Sequence, residues 1–444
     1  MRGEGFLVRG GVVGVEGWLG SVAFPGWGRC RACEAEEVHG LGRGNAAWGN
    51  AIHGLVGGMA VVYGMWYNER EFCMKGVAAM LKPGDVFQPK AFPKLTYIDR
   101  SIDEDSTYEE ELQEALEDTG TLVVITGASK SGKTVLCHKV VERKRYISLS
   151  GSQIQSQTDF WEQMAEQLDL PAKWQITDII DQDKVIVIDD FHYIEKDVQK
   201  YIARTIKTEL FNGLKAIILT LPHRSDDAIR LNPDLIGRTA FIDITPWPID
   251  ELKEIAIKGF ALLGIEAADD LIAVLAQESI ASPQLMQENC LRLANLMVKT
   301  KTKHLSRALM EKSFCLTAKN YDYYASILGT ASKGPLQGQK RRTIYTLKDG
   351  KTMDIYGLLF ESIAKDPPIT ALSTDAIKER FAQLLADPHK MPTALNIANS
   401  IKHIEKIIKA QVPSLDTIEW KDGCLYILDP FLLFYLRWGG VWQR

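Results

Sequence analysis

Cysteine is scarce in this sequence and is not arranged to hold a structure together. The 444-residue chain has seven cysteines, and only Cys30 and Cys33 form a CxxC pair. A structural zinc site needs a second pair of ligands, and a disulfide framework needs a short, cysteine-rich chain. We therefore predict neither, and a reducing, cytoplasmic location fits this cysteine usage best.

The first 74 residues lack four common polar residue types. They contain no Lys, Asp, Thr or Gln, and the first lysine is Lys75. A packed domain rarely omits four such types at once. We therefore predict that residues 1–79 are a poorly structured, Gly-rich extension, or upstream sequence before a natural start at Met74 or Met80.

Long apolar runs are also lacking, with one exception. Residues 46–67 are long enough to span a bilayer, and Gly54 and Gly58 have the spacing of a helix-dimer motif. This stretch is Gly-rich, carries Asn50 and His53, and has no flanking positive cluster. A membrane span, and with it a membrane partner, is therefore disfavoured.

An overall basic charge is absent as well. The formal net charge is −5, which argues against a protein that coats nucleic acid. Residues 299–351 are a local exception, with twelve basic and three acidic side chains. Part of this stretch, residues 331–352, has the composition of a basic linker.

Apolar segments alternate with helical patterns from about residue 95 to residue 244. The segments "TLVVIT", "RYISLSG", "KVIVIDD", "KAIILTL" and "AFIDI" are continuous apolar runs of the kind found inside a parallel sheet. They predict an α/β domain over residues 80–248. The pattern then becomes all-helical, which predicts a helical lid domain over residues 249–330.

A glycine-rich stretch, "GASKSGKT" at 127–134, lies between a predicted buried strand and a predicted helix. Its glycines, lysine and threonine fit the phosphate-binding pattern G-x-x-x-x-G-K-[ST], in which backbone N–H groups surround the β-phosphate. Lys133 would reach the β- and γ-oxygens, and the Thr134 hydroxyl would ligate Mg²⁺. The predicted ATP-binding residues here are Gly127, Ala128, Ser129, Lys130, Ser131, Gly132, Lys133, Thr134 and Val135.

A pair of aspartates ends a later apolar strand. Asp189 and Asp190 close the run "VIVIDD", 55 residues beyond Thr134 when counted to Asp189. Asp189 would hold Mg²⁺ through water, and Asp190 would orient or deprotonate an attacking water. The alternative is a solvated strand end, which the nearby phosphate loop disfavours.

Residues from about 95 to 300 resemble an AAA+-related ATPase of the signal-transducing STAND type, close to archaeal-type and origin-recognition-like ATPases. The resemblance implies an ASCE/AAA+-like P-loop NTPase sheet. "TYIDRS" resembles the motif that packs on adenine, which implies this role for Tyr97, Ile98 and Arg100. "ASPQLMQ" resembles the Gly-x-Pro element of the lid, with Pro283 near the nucleotide and Ala281 in place of the expected glycine.

The same resemblance implies further catalytic positions. "AIILTLPHR" resembles the sensor strand, with Thr220 as the polar sensor and Arg224 after it. Arg238, before the last strand, stands where relatives often present an arginine finger to a neighbouring subunit. The sequence does not decide between Arg224 and Arg238, and a solvated surface arginine is the alternative for each.

Residues 353–444 contain three helical patterns followed by a hairpin at Asp422–Gly423, an order that predicts a winged-helix domain. The third helix carries one polar face that would suit a nucleic-acid groove. With ten basic and eleven acidic side chains, however, the domain has no strong phosphate-seeking field. An internal clamp on the nucleotide domain is the alternative. The candidate nucleic-acid residues are Asn399, Lys402, Lys406 and Lys409.

The chain shows no second substrate site, which favours a switch over an enzyme that modifies a substrate. We expect a STAND-like regulatory ATPase that uses ATP and Mg²⁺, hydrolyses ATP slowly, and forms a homo-oligomer in its ATP state, with another protein as a further partner. The alternative is an origin-recognition-like DNA-binding protein that is regulated by ATP.

Overall fold

The computed structural model describes residues 55–56, 59–60, 81–168, 175–222, 237–332, 343–412 and 416–440. The predicted extension, apart from two short strands, and Arg224 lie outside these ranges. The two strands are β1 (Leu55–Val56) and β2 (Met59–Ala60). Within the described ranges, no helix combines the length and the apolar character needed to cross a bilayer.

Five parallel strands form the sheet that positions the site, in the order β4-β5-β6-β3-β7. Their side chains are largely apolar and buried, because helices cover both faces and leave little room for polar groups. The sheet confirms the predicted α/β, P-loop NTPase fold. The strands are β3 (Leu122–Gly127), β4 (Tyr146–Ser150), β5 (Val185–Asp189), β6 (Lys215–Thr220) and β7 (Thr239–Ile244).

Separate apolar cores lie on the two faces of this sheet. Alternate residues of one strand enter different cores: Val124 packs with Phe160 on one face, and Val123 packs with Leu136 on the other. This division follows from the two-residue period of a strand. The covering helices are α2 (Tyr108–Glu117), α3 (Lys133–Val140), α4 (Gln157–Leu168), α5 (Ile176–Asp181) and α6 (Lys196–Leu210).

A helical region follows the sheet, as the sequence predicts. It extends into the basic stretch, since a helix spans Arg307–Ala318 and another spans Tyr323–Ser332. The predicted linker, residues 331–352, includes one strand and the start of another, and residues 333–342 lie outside the described ranges. The elements are α1 (Pro83–Val86), α7 (Ile249–Leu263), α8 (Asp269–Gln277), α9 (Pro283–Thr300), α10 (Arg307–Ala318), α11 (Tyr323–Ser332), β8 (Ile344–Thr346) and β9 (Thr352–Asp354).

The C-terminal unit has four α-helices and a small antiparallel sheet of order β10-β12-β11. Its hairpin turns at Asp422 and Gly423, both with positive φ, as expected for a two-residue turn. Three helices and then a hairpin occur in the predicted order, and strand β10 and the final helix α15 are additional elements. The winged-helix assignment stays a prediction. The elements are α12 (Ile355–Ile363), β10 (Ala371–Ser373), α13 (Thr374–Leu384), α14 (Ala394–Gln411), β11 (Ile418–Lys421), β12 (Cys424–Ile427) and α15 (Pro430–Trp438).

The helical region and the C-terminal unit share one apolar core. The last helix, α15, packs against α10. The rings of Phe314 and Phe434 meet there edge to face, with 5.8 Å between the ring centroids. Arg437 of α15 donates from Nε to Glu278 Oε2 at 2.8 Å. The sequence predicts separate lid and C-terminal domains, and in the structure the buried apolar residues of the two belong to one cluster.

Candidate functional site

The predicted phosphate loop lies at the carboxyl end of central strand β3, between this strand and α3. Gly132 has φ +100° and Lys130 has φ +65°, so the loop uses left-handed backbone at two points. A Cβ on Gly127 would lie 3.0 Å from Ser131 Oγ and 3.1 Å from Ile244 Cβ. Close packing therefore favours glycine at 127, and backbone conformation favours it at 132.

The Lys133 side chain curls over this loop. Its amine donates to the carbonyl oxygens of Gly127 and Ala128, each at 2.8 Å. Burial lowers the pKa of Lys133 to about 8, although the carboxylates of Asp189 and Asp190 act in the opposite direction. The amine is thus positioned among the loop carbonyls and close to the acid pair.

The loop and the acid pair meet directly. Thr134 Oγ1 donates to Asp189 Oδ2 at 2.6 Å, and the backbone N–H of Asp190 donates to Asp189 Oδ1 at 2.8 Å. A hydroxyl beside a carboxylate is an oxygen-rich ligand set that suits Mg²⁺, which prefers few protein ligands plus water and phosphate. The residues predicted as metal ligands therefore fit that ion.

Asp190 differs from its neighbour in backbone and in environment. It adopts a left-handed conformation with φ +55° at the start of a short 3₁₀ turn. Burial, followed by the neighbouring Asp189 carboxylate, raises the pKa of Asp190 above its ordinary value. A carboxylate with raised pKa is a stronger base than an ordinary one, which suits the role predicted for Asp190.

Gly151 is a part of the site that the sequence did not reveal. It follows β4, and a Cβ at this position would lie 2.4 Å from the carbonyl oxygen of Asp190 and 2.9 Å from that of Asp189. A backbone approach this close excludes any side chain. One signal for Gly151 was available in the sequence. Glycine follows β4 directly, and β4 lies beside β5, the strand that carries the acid pair.

A cavity of about 490 Å³ opens over the loop and the acid pair. The sheet domain, the helical region and the C-terminal unit all line it. From the helical region come Pro283, Gln284 and Gln287, and from the C-terminal unit comes Asp416. The Asp416 side chain was not among the predicted site residues, because its sequence surroundings carry no motif.

The three residues predicted to pack on adenine have different roles in the structure. Tyr97 and Ile98 line the cavity. The Arg100 guanidinium also borders it, but donates to Glu251 Oε2 at 2.6 Å and to the carbonyl of Thr245 at 3.1 Å. Arg100 therefore ties this segment to α7 and also borders the cavity, and its predicted contact with adenine stays a prediction.

Helix α9 reaches the phosphate loop through its first turn. Ser282 Oγ accepts from Leu285 N–H at 3.2 Å and donates to the Lys130 carbonyl at 3.3 Å. Pro283 lies beside Gly132, 3.9 Å from the point where a Cβ would stand. Ala281 has φ +50°, which explains why a glycine is expected there.

The remaining predicted catalytic residues lie apart from the cavity lining or outside the described residues. Thr220 is buried at the end of β6, paired in register with Thr126, and is not a lining residue. Arg238 is exposed at the amino end of β7, where its carbonyl accepts from Leu122 N–H at 2.8 Å. Since the loop lies about 20 Å away at the opposite end of the strands, Arg238 is not in its own chain's site. Arg224 lies outside the described residues.

The predicted nucleic-acid face of α14 is only partly free. Asn399, Lys402 and Lys406 are exposed. Lys409 lies 3.8 Å from Glu405 and 3.5 Å from Asp416 in ion pairs. Lys409 is exposed as well, so the assignment of all four residues to a nucleic-acid face stays a prediction.

A parallel sheet with this loop after β3 and this acid pair after β5 defines a P-loop nucleotide-binding fold. A family model described as the AAA domain matches residues 119–253, from the approach to β3 to the start of α7. In this range, which contains all five strands of the sheet, the phosphate loop and the acid pair, the chain is similar to the AAA domain. Among the curated proteins, no sequence matches this chain.

Several solved structures are similar to this chain at low identity. Cdc6p from Pyrobaculum aerophilum has 12% identity and a TM-score of 0.42, with 81% of this chain and 98% of that chain covered. The Walker-type ATPase of Pyrococcus abyssi has 12% identity and a TM-score of 0.45, with coverages of 77% and 99%. The Thermotoga maritima RuvB Holliday junction branch migration motor has 15% identity and a TM-score of 0.38, with coverages of 74% and 94%.

Proposed function

We propose that this protein is an ATP-binding, slowly hydrolysing regulatory ATPase, whose nucleotide state controls domain packing and assembly. The observation that carries the proposal is the position of Asp416. A carboxylate of the C-terminal unit lines the same cavity as the phosphate loop and the acid pair. A nucleotide held there would act on the C-terminal unit directly through its charge.

The chain's own residues would bind the nucleotide at its phosphate end. Backbone N–H groups of the loop would surround the β-phosphate, and the Lys133 amine would exchange its loop carbonyls for phosphate oxygens. Thr134 and Asp189 would hold Mg²⁺. The ion would neutralise phosphate charge that two neighbouring aspartates otherwise repel.

Slow hydrolysis is the expected consequence of the cavity's composition. Asp190 would take the proton of the attacking water. Among the described lining residues, the helical region contributes Ile255, Pro283, Gln284 and Gln287 and no cation. The lysine and arginine side chains that line the cavity are Lys90, Arg100, Lys130 and Lys133. A further cation to stabilise the transferring phosphoryl group would have to come from another copy of the chain. Arg238 of a neighbouring copy is our candidate.

Coupling to domain packing would arise from charge repulsion. Asp416 is buried, and its charge contributes to the raised pKa of Asp190. The effect of the Asp416 charge on the Asp190 carboxyl supports a position for Asp416 at the end of the cavity where a γ-phosphate would lie. A triphosphate would therefore oppose the docked C-terminal unit more than a diphosphate would, with Lys409 as partial compensation.

The basic test is nucleotide binding. Mg-ATP should bind the full chain, and Lys133→Ala should weaken binding about 100-fold, since two or more charge-assisted hydrogen bonds are lost. Lys144→Ala, on an exposed loop, is the control and should bind as the unchanged protein does. Isothermal titration calorimetry measures both, and equal affinities for the Lys133→Ala and unchanged proteins would exclude the site.

The coupling has its own test. Asp416→Asn should raise the affinity for a slowly hydrolysed ATP analogue relative to ADP by about tenfold, which corresponds to removal of one nearby like charge. Asp422→Asn removes the same charge from the exposed hairpin turn and should change nothing. Size-exclusion chromatography with light scattering should show a larger assembly with the analogue than with ADP. If Asp416→Asn leaves the ratio of ATP-analogue affinity to ADP affinity unchanged, the Asp416 charge does not couple the nucleotide to the C-terminal unit.

The second candidate function is ATP-regulated DNA binding. Its support is the exposed face of α14 that carries Asn399, Lys402 and Lys406. A protein with this function should bind duplex DNA in a salt-dependent way, and the double substitution Lys402→Ala and Lys406→Ala should weaken binding across all sequences. Duplex affinity unchanged by both substitutions would exclude this face.

A further inference from the structure

The lining of the cavity includes an unusual polar group, the carboxylate of Glu109. This residue lies in the first turn of α2 and lines the cavity with Phe92, Tyr97 and His138. The Tyr97 hydroxyl donates to Glu109 Oε1. Glu109 Oε2 is buried, and no partner for it is found among the described residues.

Two donors close to Tyr97 and to Thr96 have other partners. Lys139 Nζ lies over the Tyr97 ring at 4.8 Å and pairs with Asp99 at 3.7 Å. The Gln287 amide donates to Thr96 Oγ1 at 2.7 Å. A buried carboxylate oxygen without a donor is costly, so a donor from a bound molecule would stabilise this arrangement.

We propose that Glu109 Oε2 accepts a hydrogen bond from the 6-amino group of a bound adenine and thereby selects ATP over nucleotides that carry a 6-oxo group. The inference rests on the proposed function, because it places the base of the same nucleotide whose phosphates lie on the loop. Phe92 and Tyr97 are stacked on each other at 5.4 Å and present aromatic surface beside this carboxylate. Tyr97 is the positioning residue, since its hydroxyl fixes the orientation of Glu109.

Selectivity follows from the chemistry of the two base edges. An adenine amine donates to the carboxylate, whereas the 6-oxo group of hypoxanthine would place an acceptor against an acceptor. A base without either group, as in purine riboside, would leave the carboxylate without a donor. Sites built to accept a specific hydrogen bond reject ligands that lack the donor strongly, because their own buried group is then left unpaired.

The test compares four magnesium triphosphates on the full chain by calorimetry: ATP, ITP, GTP and purine riboside triphosphate. The unchanged protein should bind ATP at least about tenfold more tightly than the other three. Glu109→Gln keeps the shape of the side chain and adds an amide donor, so it should lower ATP affinity and raise ITP affinity. Glu114→Gln, on the exposed side of the same helix, is the matched control. Tyr97→Phe should reduce the ratio of ATP affinity to ITP affinity, but ATP should still bind more tightly.

Different outcomes would contradict the proposed nucleotide binding and the role of Glu109 in base selection. No binding of any triphosphate would overturn both the proposed function and this inference. Tight ATP binding with the same ranking of bases in the unchanged and Glu109→Gln proteins, both shown folded by thermal melting, would overturn the role of Glu109 alone. A preference for GTP over ATP in the unchanged protein would overturn the assignment to the 6-amino group.

Discussion

The two halves of this molecule bury their apolar residues in different ways. The sheet domain has a layered interior, with a separate core on each face of five parallel strands. The helical region and the C-terminal unit instead share one continuous core. The cavity lies where the two halves meet, so each half supplies part of its lining. A nucleotide site at such a junction can respond to, or alter, the way the halves pack.

The largest expected effect comes from breaking the contact between the C-terminal unit and the helical region. Arg437 and Glu278 are 8% and 6% exposed and form a buried ion pair, to which the Trp438 indole also donates, at 2.7 Å. Arg437→Leu leaves Glu278 as a buried charge without its partner and should cost about 3–5 kcal/mol of unfolding free energy.

Urea unfolding followed by circular dichroism measures this cost. The control is Arg307→Leu, which breaks the exposed pair with Glu311 and should cost less than about 1 kcal/mol. If the two variants lose equally little stability, the buried pair does not hold the C-terminal unit to the helical region.

The second-largest effect is expected in the sheet domain, at Asp190. Asp190→Asn keeps the size of the side chain but removes its basicity, so hydrolysis should fall about 100-fold or more while ATP binding stays within a few-fold. Phosphate release under single-turnover conditions measures the rate. Asp197→Asn, at an exposed position of helix α6, is the charge-matched control. Undiminished turnover in the Asp190→Asn protein would assign the base role to another group.

The smallest effect is expected at Gly151, within the sheet domain. Alanine there would place Cβ against the backbone that follows β5 and push the acid pair away from Thr134. The gain in ATP affinity on adding Mg²⁺ should shrink about tenfold, because one metal ligand is displaced. Gly329→Ala, where nothing lies near the added Cβ, should leave the gain unchanged. An unaltered Mg²⁺ effect in Gly151→Ala would show that the backbone adjusts.

The sequence predicts the sheet half well because its signals are local. Apolar runs identify the strands, and the loop motif followed by the Asp189–Asp190 pair identifies what lies at their carboxyl ends. Parallel strands bring these ends together whatever the connecting segments are. The contact between Thr134 and Asp189 follows from that geometry.

The rest of the site depends on contacts between distant segments, which no local pattern encodes. Asp416 reaches the cavity only because the whole C-terminal unit docks on the helical region. Arg100 carries the residue type expected for a ligand, but Glu251 of a later helix takes its guanidinium. Gly151 matters because the backbone of the acid pair approaches it closely, and Glu109 matters because its buried Oε2 has no partner among the described residues. Neither property can be recognised in the amino-acid sequence.

The shared core has a consequence for biosynthesis. Helix α15 follows every other element of that core in the chain, yet its apolar side chains are among the most buried. The sheet domain can form on the ribosome from contiguous sequence, whereas the helical region exposes apolar surface until α15 emerges. Stalled or shortened chains should therefore be the species that chaperones capture, through the surface which α15 would otherwise cover.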